Sequence, residues 1–135
     1  MVTEPYYTRV QRILQRHGWR RGETWPRWLI DEWSHFVDTC ERGYDDNIYE
    51  YLNDLSIRKM IEAILTAPEL QEFSVQQELR QRVDEIDERF RRTLHSTYKF
   101  PDGKYWWESG VVKHAGKELA DDLRVQYGFE IESID

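Results

Sequence analysis

Glu32 and His35 stand three residues apart in a segment whose apolar spacing predicts one helix, so a carboxylate and an imidazole share a side of it. Such a pair can do acid–base work or supply half of a metal site. On a helical wheel Trp25, Trp28, Leu29, Trp33, Phe36, Val37 and Cys40 span one apolar arc; Glu32 falls inside it and His35 at its edge. A carboxylate among aromatic rings costs free energy unless it is paired or protonated, and a tuned general acid or metal ligand is placed that way. Glu-x-x-His also matches half of the di-iron pattern of helical bundles. The other half is missing, because the residues three before His17, His95 and His114 are Leu14, Arg92 and Val111. The sequence favours a plainer reading, a glutamate satisfied by an arginine or a backbone donor at a helix junction. It therefore predicts no catalytic residue, no cofactor and no metal, with an acid/base or metal-dependent enzyme centred on Glu32 and His35 as an alternative.

Other residues with chemical potential fit structural duties. Cys40 has no second cysteine to pair with and falls on the core side of its helix, against a thiolate or zinc role. Asp45-Asp46-Asn47 lacks the alternating oxygen ligands and central glycine of a calcium loop, and reads as a helix cap. No phosphate-binding loop, dinucleotide fingerprint or serine elbow occurs. Arg12…His17 and Arg89…His95 resemble the arginine–histidine spacing of small all-α ribonucleases of the HEPN class. That class has a polar residue straight after the arginine, where Ile13 and Phe90 stand here.

Two aromatic segments could bind. "HGWRRGETWPRW", residues 17–28, interleaves three tryptophans with three arginines, as nucleic-acid binders do. With Trp25 and Trp28 assigned to the core face, only Trp19, Arg20, Arg21 and Arg27 are left for its surface. "YKFPDGKYWW", residues 98–107, sets Tyr98, Phe100, Tyr105, Trp106 and Trp107 around a Pro-Asp-Gly turn. Five such rings exceed what so short a segment is expected to bury, and exposed Trp and Tyr are the types enriched at binding hot spots.

The elements that must position these residues are mainly helical. Thr3-Glu4-Pro5 opens a first helix with the stripe Tyr6, Val10, Ile13 and Leu14, ended by Gly18; Arg9, Arg12 and Arg16 share a flank outside it. Thr24 is expected to cap the second helix, and Gly43 to stop it. A third begins near Ile48 and kinks near residues 54–56. Thr66 with Glu69, and Ser74 with Gln77, have capping-box spacing. Leu79, Val83, Ile86, Phe90 and Leu94 give the next helix a near-heptad seam. A last helix spans about residues 115–127, and "FEIESID" is a short strand or extended arm. The expected fold is all-α: residues 1–135 as a single-domain helical bundle of about five helices, with an irregular aromatic loop or hairpin near residues 97–110.

Length and charge bound the function. A chain of 135 residues can bury a core without metal or disulfide help, and 33% charged residues with helical periodicity read as folded. The N-terminus lacks signal-peptide features and no run approaches the roughly 18 apolar residues of a membrane span, so the expectation is cytoplasmic, with no membrane partner. Net charge is −7 but uneven: residues 1–30 carry +4 and residues 31–60 carry −5. Without catalytic machinery, acidity and surplus aromatics point to a small acidic intracellular protein-binding module, in its narrower form a bacterial immunity-type or antitoxin-like inhibitor of a basic partner protein. Asp45, Asp46, Glu50 and Asp54 would meet the partner's basic side chains, and Tyr105, Trp106 and Trp107 would anchor it. The alternative partner is nucleic acid, reached through Arg9, Arg12, Arg16, Arg20 and Arg21.

Overall fold

The computed structural model describes residues 3–134 and is mostly helical. In chain order come α1 (Thr3–Arg16), α2 (Pro26–Arg42), α3 (Ile48–Leu55), α4 (Ile57–Thr66), a 3-10 turn (Pro68–Leu70) and α5 (Val75–Arg91). β1 (Leu94–Lys99), α6 (Trp106–Ser109), β2 (Gly110–Val112), β3 (His114–Ala115), α7 (Lys117–Tyr127) and β4 (Glu132–Ser133) follow. The side chains of Thr3 and Glu4, and with them the opening of α1 expected there, lie outside the described residues.

α2 is the central helix and packs against α4 and α5. Its buried side is Leu29, Ile30, Trp33, Phe36, Val37 and Cys40. This corrects the wheel drawn from sequence: Trp25 and Trp28 are 53% and 40% exposed. At 100° per residue Trp28 lies about 140° from Trp33, whereas Ile30 lies about 60° away and takes its place in the core. Trp25 precedes the helix as its N-cap residue, with no side-chain capping bond. Thr24 does not cap α2 either. Its hydroxyl accepts the Trp19 indole N–H at 2.8 Å and donates to the Gly22 carbonyl at 3.1 Å.

α1 buries Val10, Ile13 and Leu14 completely and lies on α4 and the 3-10 turn. α3 and α4 meet at Ser56, whose hydroxyl donates to the Asn53 carbonyl at 2.6 Å, a local bond that competes with the helix ladder. Neither expected capping box forms. The Thr66 hydroxyl turns back to the Glu62 carbonyl (2.8 Å) at the end of α4, and Ser74 makes no capping bond to α5. α5 stops at Arg91, short of Leu94, because Thr93 folds its amide and its hydroxyl onto the Phe90 carbonyl at 2.9 and 2.7 Å. Leu94 instead begins β1.

β1 pairs antiparallel with β2 through an irregular register, Leu94 opposite Val112 and Lys99 opposite Gly110. The turn after Phe100 and the one-turn α6 lie between them. β3 and β4 make a short parallel pair, tying the C-terminal segment beside α2's end: the Ile134 amide donates to the Ala115 carbonyl at 3.0 Å. Gly43, at φ +102°, fits there because a Cβ would lie 1.9 Å from Ile134 Cδ1. The buried apolar residues of α1–α5, α6, β2, β3 and α7 form one hydrophobic cluster. No described helix is long and apolar enough to cross a membrane.

Candidate functional site

Three surface regions gather the residues singled out in the sequence. The first is a cleft of about 210 Å³ between α2, the loop after α1 and the α3–α4 junction; Trp19, Arg21, Glu32, His35 and Asp54 are among its walls. Glu32 is half-buried there and His35 exposed. Among the described residues neither side chain makes a hydrogen bond or ion pair, which overturns the expected pairing of Glu32 with an arginine or backbone donor. Partial exposure removes the need, because water can solvate the carboxylate. A metal reading of the pair lacks ligands: no group of three or more His, Cys, Asp or Glu able to hold a metal occurs among the described residues.

The aromatic flap is largely turned inward. Trp107 is 2% exposed, with the Arg58 guanidinium 4.2 Å above its ring and Tyr105 stacked on it at 4.5 Å. Arg91 covers Trp106 at 3.9 Å. Tyr98 and Phe100 pack against Phe129 of the C-terminal segment at 4.9 and 5.7 Å. The expectation of an exposed anchor therefore fails at Trp107, a core residue, while Tyr105 and Trp106 keep half-buried edges. Hydropathy could not separate these outcomes. The deciding feature is the Arg58–Asp87 pair, 29 residues apart in sequence and visible only in the fold, which supplies a buried cation for Trp107 to cover.

That pair is the electrostatic centre of the interior. Arg58 Nε and Nη2 donate to Asp87 Oδ1 and Oδ2 at 2.9 and 2.8 Å, Nη1 donates to Glu62 at 3.0 Å, and the Trp33 indole donates to Asp87 at 3.0 Å. Burial works against the Arg58 charge, but the carboxylates of Asp87 and Glu62 outweigh it and hold the guanidinium above its usual range.

The acids named from sequence divide between two faces. Asp45 and Asp46 are exposed just ahead of α3, where Asn47 caps the helix by accepting the Glu50 amide at 2.9 Å. Asp122 of α7 joins them by accepting the Ile48 amide at 2.9 Å, a capping residue the sequence gave no reason to place there. Asp54 is on the cleft side and takes the Tyr44 hydroxyl at 2.6 Å. Burial first, and then this carboxylate, push the Tyr44 phenol far up. The Glu50 side chain is exposed and makes no hydrogen bond or ion pair among the described residues.

On the other flank of α3, Tyr49 and Leu52 are 70% and 42% exposed. Leu52 opens onto a groove of about 350 Å³ bounded by Lys59, the 100–103 turn, Glu108 and Tyr127. Sequence reasoning missed this groove, because Leu52 matches the helical stripe of buried residues and Tyr127 sits at a helix end. Asp102 lines this groove, and Asp45, Asp46 and Asp122 lie at the N-terminal end of α3. Comparison with protein-family models, with curated proteins and with solved structures finds no match.

The basic N-terminal segment is divided as well. Arg9 donates to the Glu69 carbonyl (2.8 Å) and pairs with Glu72 (2.6 Å), and Arg16 pairs with Glu69 (3.0 Å). These two fasten α1 to the 3-10 turn and its flank, so they are not a free phosphate-binding stripe. Arg20 and Arg27 make no hydrogen bond or ion pair among the described residues, and Arg21 only stacks over Trp19 at 5.3 Å.

Proposed function

We propose that this protein is an acidic docking module that binds a basic protein through the groove beside α3. The observation that carries the reading is the exposure of Leu52 on a groove that Tyr127 and Asp102 also line, with Tyr49 exposed on the same helix. Apolar anchors with Asp102 and Glu108 in the groove wall, set against the single cation Lys59, suit a partner that brings lysines or arginines around an apolar side chain. The set of contact residues is accordingly Asp45, Asp46 and Glu50 with Tyr49, Leu52 and Tyr127; Asp54 and Trp107 drop out, and Tyr105 and Trp106 act as supports of the flap. An immunity-type or antitoxin-like inhibitor that caps a basic enzyme is the narrower form of the same reading, and the net charge of −7 supports it through fast electrostatic steering.

The test is site-specific photo-crosslinking in the producing cells, with the crosslinker at position 52 and a control at the exposed position Gln81 on α5. A basic protein captured at 52 and absent at 81 is expected. Asp45→Lys with Asp46→Lys should then slow its association about tenfold at low salt. An acidic partner, or equal capture at both positions, would sink the reading.

A further inference from the structure

The joint between α1 and α2 carries a second set of exposed aromatics, with the opposite charge to the groove. Tyr7 packs on Trp25 with ring centroids 4.4 Å apart, the Trp28 amide donates to the Trp25 carbonyl at 3.0 Å, and the Trp28 ring lies 6.2 Å from that of Trp19. The rings thus follow one another across the joint, and the Arg21 guanidinium covers Trp19 at the end. The loop that presents them is held tightly. Gln11 clamps Thr24 from both sides, accepting its amide at 2.9 Å and donating to its carbonyl at 2.7 Å, while Trp19 donates to the Thr24 hydroxyl. Thr24 itself is buried. The indoles of Trp25 and Trp28 are therefore fixed in place yet face solvent, which core packing does not explain.

Around them Arg20, Arg21 and Arg27 are exposed and have no acidic partner among the described residues. Of the nearby acids, Glu23 accepts the Tyr7 hydroxyl at 3.0 Å and Asp31 pairs with Arg82 at 2.9 Å, while Glu32 shares the cleft with Trp19 and Arg21 without bonding to the guanidinium. Flat π surfaces beside uncommitted guanidinium groups match a ligand made of flat rings on a polyanionic chain. An acidic peptide would satisfy the arginines and leave the indoles bare.

We propose that this joint binds single-stranded nucleic acid, with bases stacked on Trp25 and Trp28 and phosphates held by Arg20, Arg21 and Arg27. The site does not depend on the groove, and either can fail without the other. Its footprint is about two bases and three phosphates, so affinity is modest and set by salt. With three phosphates neutralised on a single strand, binding should weaken about twentyfold between 50 and 200 mM salt.

The experiment is fluorescence anisotropy of a labelled eight-nucleotide mixed-sequence single strand at 50 mM salt, with tryptophan quenching as a second readout. Trp25→Ala and Trp28→Ala are each expected to weaken binding about tenfold, Trp28→Phe to retain most of it, and Arg20→Glu/Arg21→Glu/Arg27→Glu to abolish it. Circular dichroism confirms that each variant is folded, and Gln81→Ala, at an exposed position of α5, should leave the affinity unchanged. Equal binding of a duplex of the same length, displacement by hexaglutamate at matched charge, unchanged affinity in both tryptophan variants, or no binding at 50 mM salt would each overturn the proposal.

Discussion

At the scale of single residues the interior sets a satisfied polar cluster at Asp87 against two buried groups without a partner, the Tyr51 hydroxyl and the Trp107 indole N–H. Asp87 accepts two hydrogen bonds from Arg58 and one from Trp33, so Asp87→Ala would leave a buried guanidinium short of its counter-charge and should cost about 3–5 kcal/mol. The Tyr51 hydroxyl is buried among Cys40, Tyr44 and Phe36 and has no hydrogen-bond partner. Burial first, then the neighbouring Cys40 and Tyr44, hold its phenol in the protonated form. An unmatched buried hydroxyl lowers stability, so Tyr51→Phe should be neutral or raise stability by up to about 1 kcal/mol. Urea denaturation of the two variants measures both; a clear loss in Tyr51→Phe would mean the hydroxyl has a partner. Cys40 follows the same logic, since burial foremost, then Asp54 and Glu41, push its thiol far up and leave it a packing residue.

At the scale of elements the tie between α1 and the 3-10 turn carries a pH dependence. The Glu69 carboxylate is held below the usual glutamate range, first by its own backbone amide and then by Arg16. A carboxyl whose pKa is depressed by folding contributes stability that is present above its unfolded value, about 4.3, and lost as pH falls through the lower folded value. Carboxyl NMR should place the Glu69 midpoint below 4.3 by this argument, with amide shifts in α1 and the turn tracking it, and Arg16→Ala should move the midpoint up. A midpoint at the ordinary value would remove the tie. α1 itself was legible in the sequence because Val10, Ile13 and Leu14 repeat at three and four and all are buried. The tie was not, since Arg9 and Arg16 reach acids more than 50 residues away. Periodicity also extended α5 to Leu94, because a strand residue can continue a heptad by coincidence; what ends the helix is the Thr93 turn onto Phe90. Trp25 and Trp28 were misplaced for a related reason: a hydrophobic arc says which face is apolar, and only the neighbouring α4 and α5 decide where on that arc burial stops.

For the molecule as a whole, charge and packing divide the surface into opposed regions, a cationic aromatic joint at one end of α2 and an acidic strip along α3 and α7. The separation begins in the sequence, +4 over residues 1–30 against −5 over residues 31–60. The fold sharpens it by spending Arg9 and Arg16 internally and by bringing Asp122 to Asp45 and Asp46. What holds the acidic end together is the C-terminal segment. Phe129 stacks on Tyr98 and Tyr127 at 4.9 and 5.4 Å, the Glu132 amide donates to the Lys113 carbonyl at 3.1 Å, and the Glu130 amide donates to the Tyr98 hydroxyl at 3.3 Å. The groove wall at Phe100 and Tyr127 therefore rests on residues 129–134, although it is built from α7 and the flap. Removing residues 129–135 should lower the melting temperature by on the order of 10 °C and speed amide exchange across β1, α6 and β2, while leaving exchange in α1 and the first turn of α2 unchanged. Uniform loss of protection would instead make the C-terminal segment part of a single cooperative core, and the two ends could not then be altered separately.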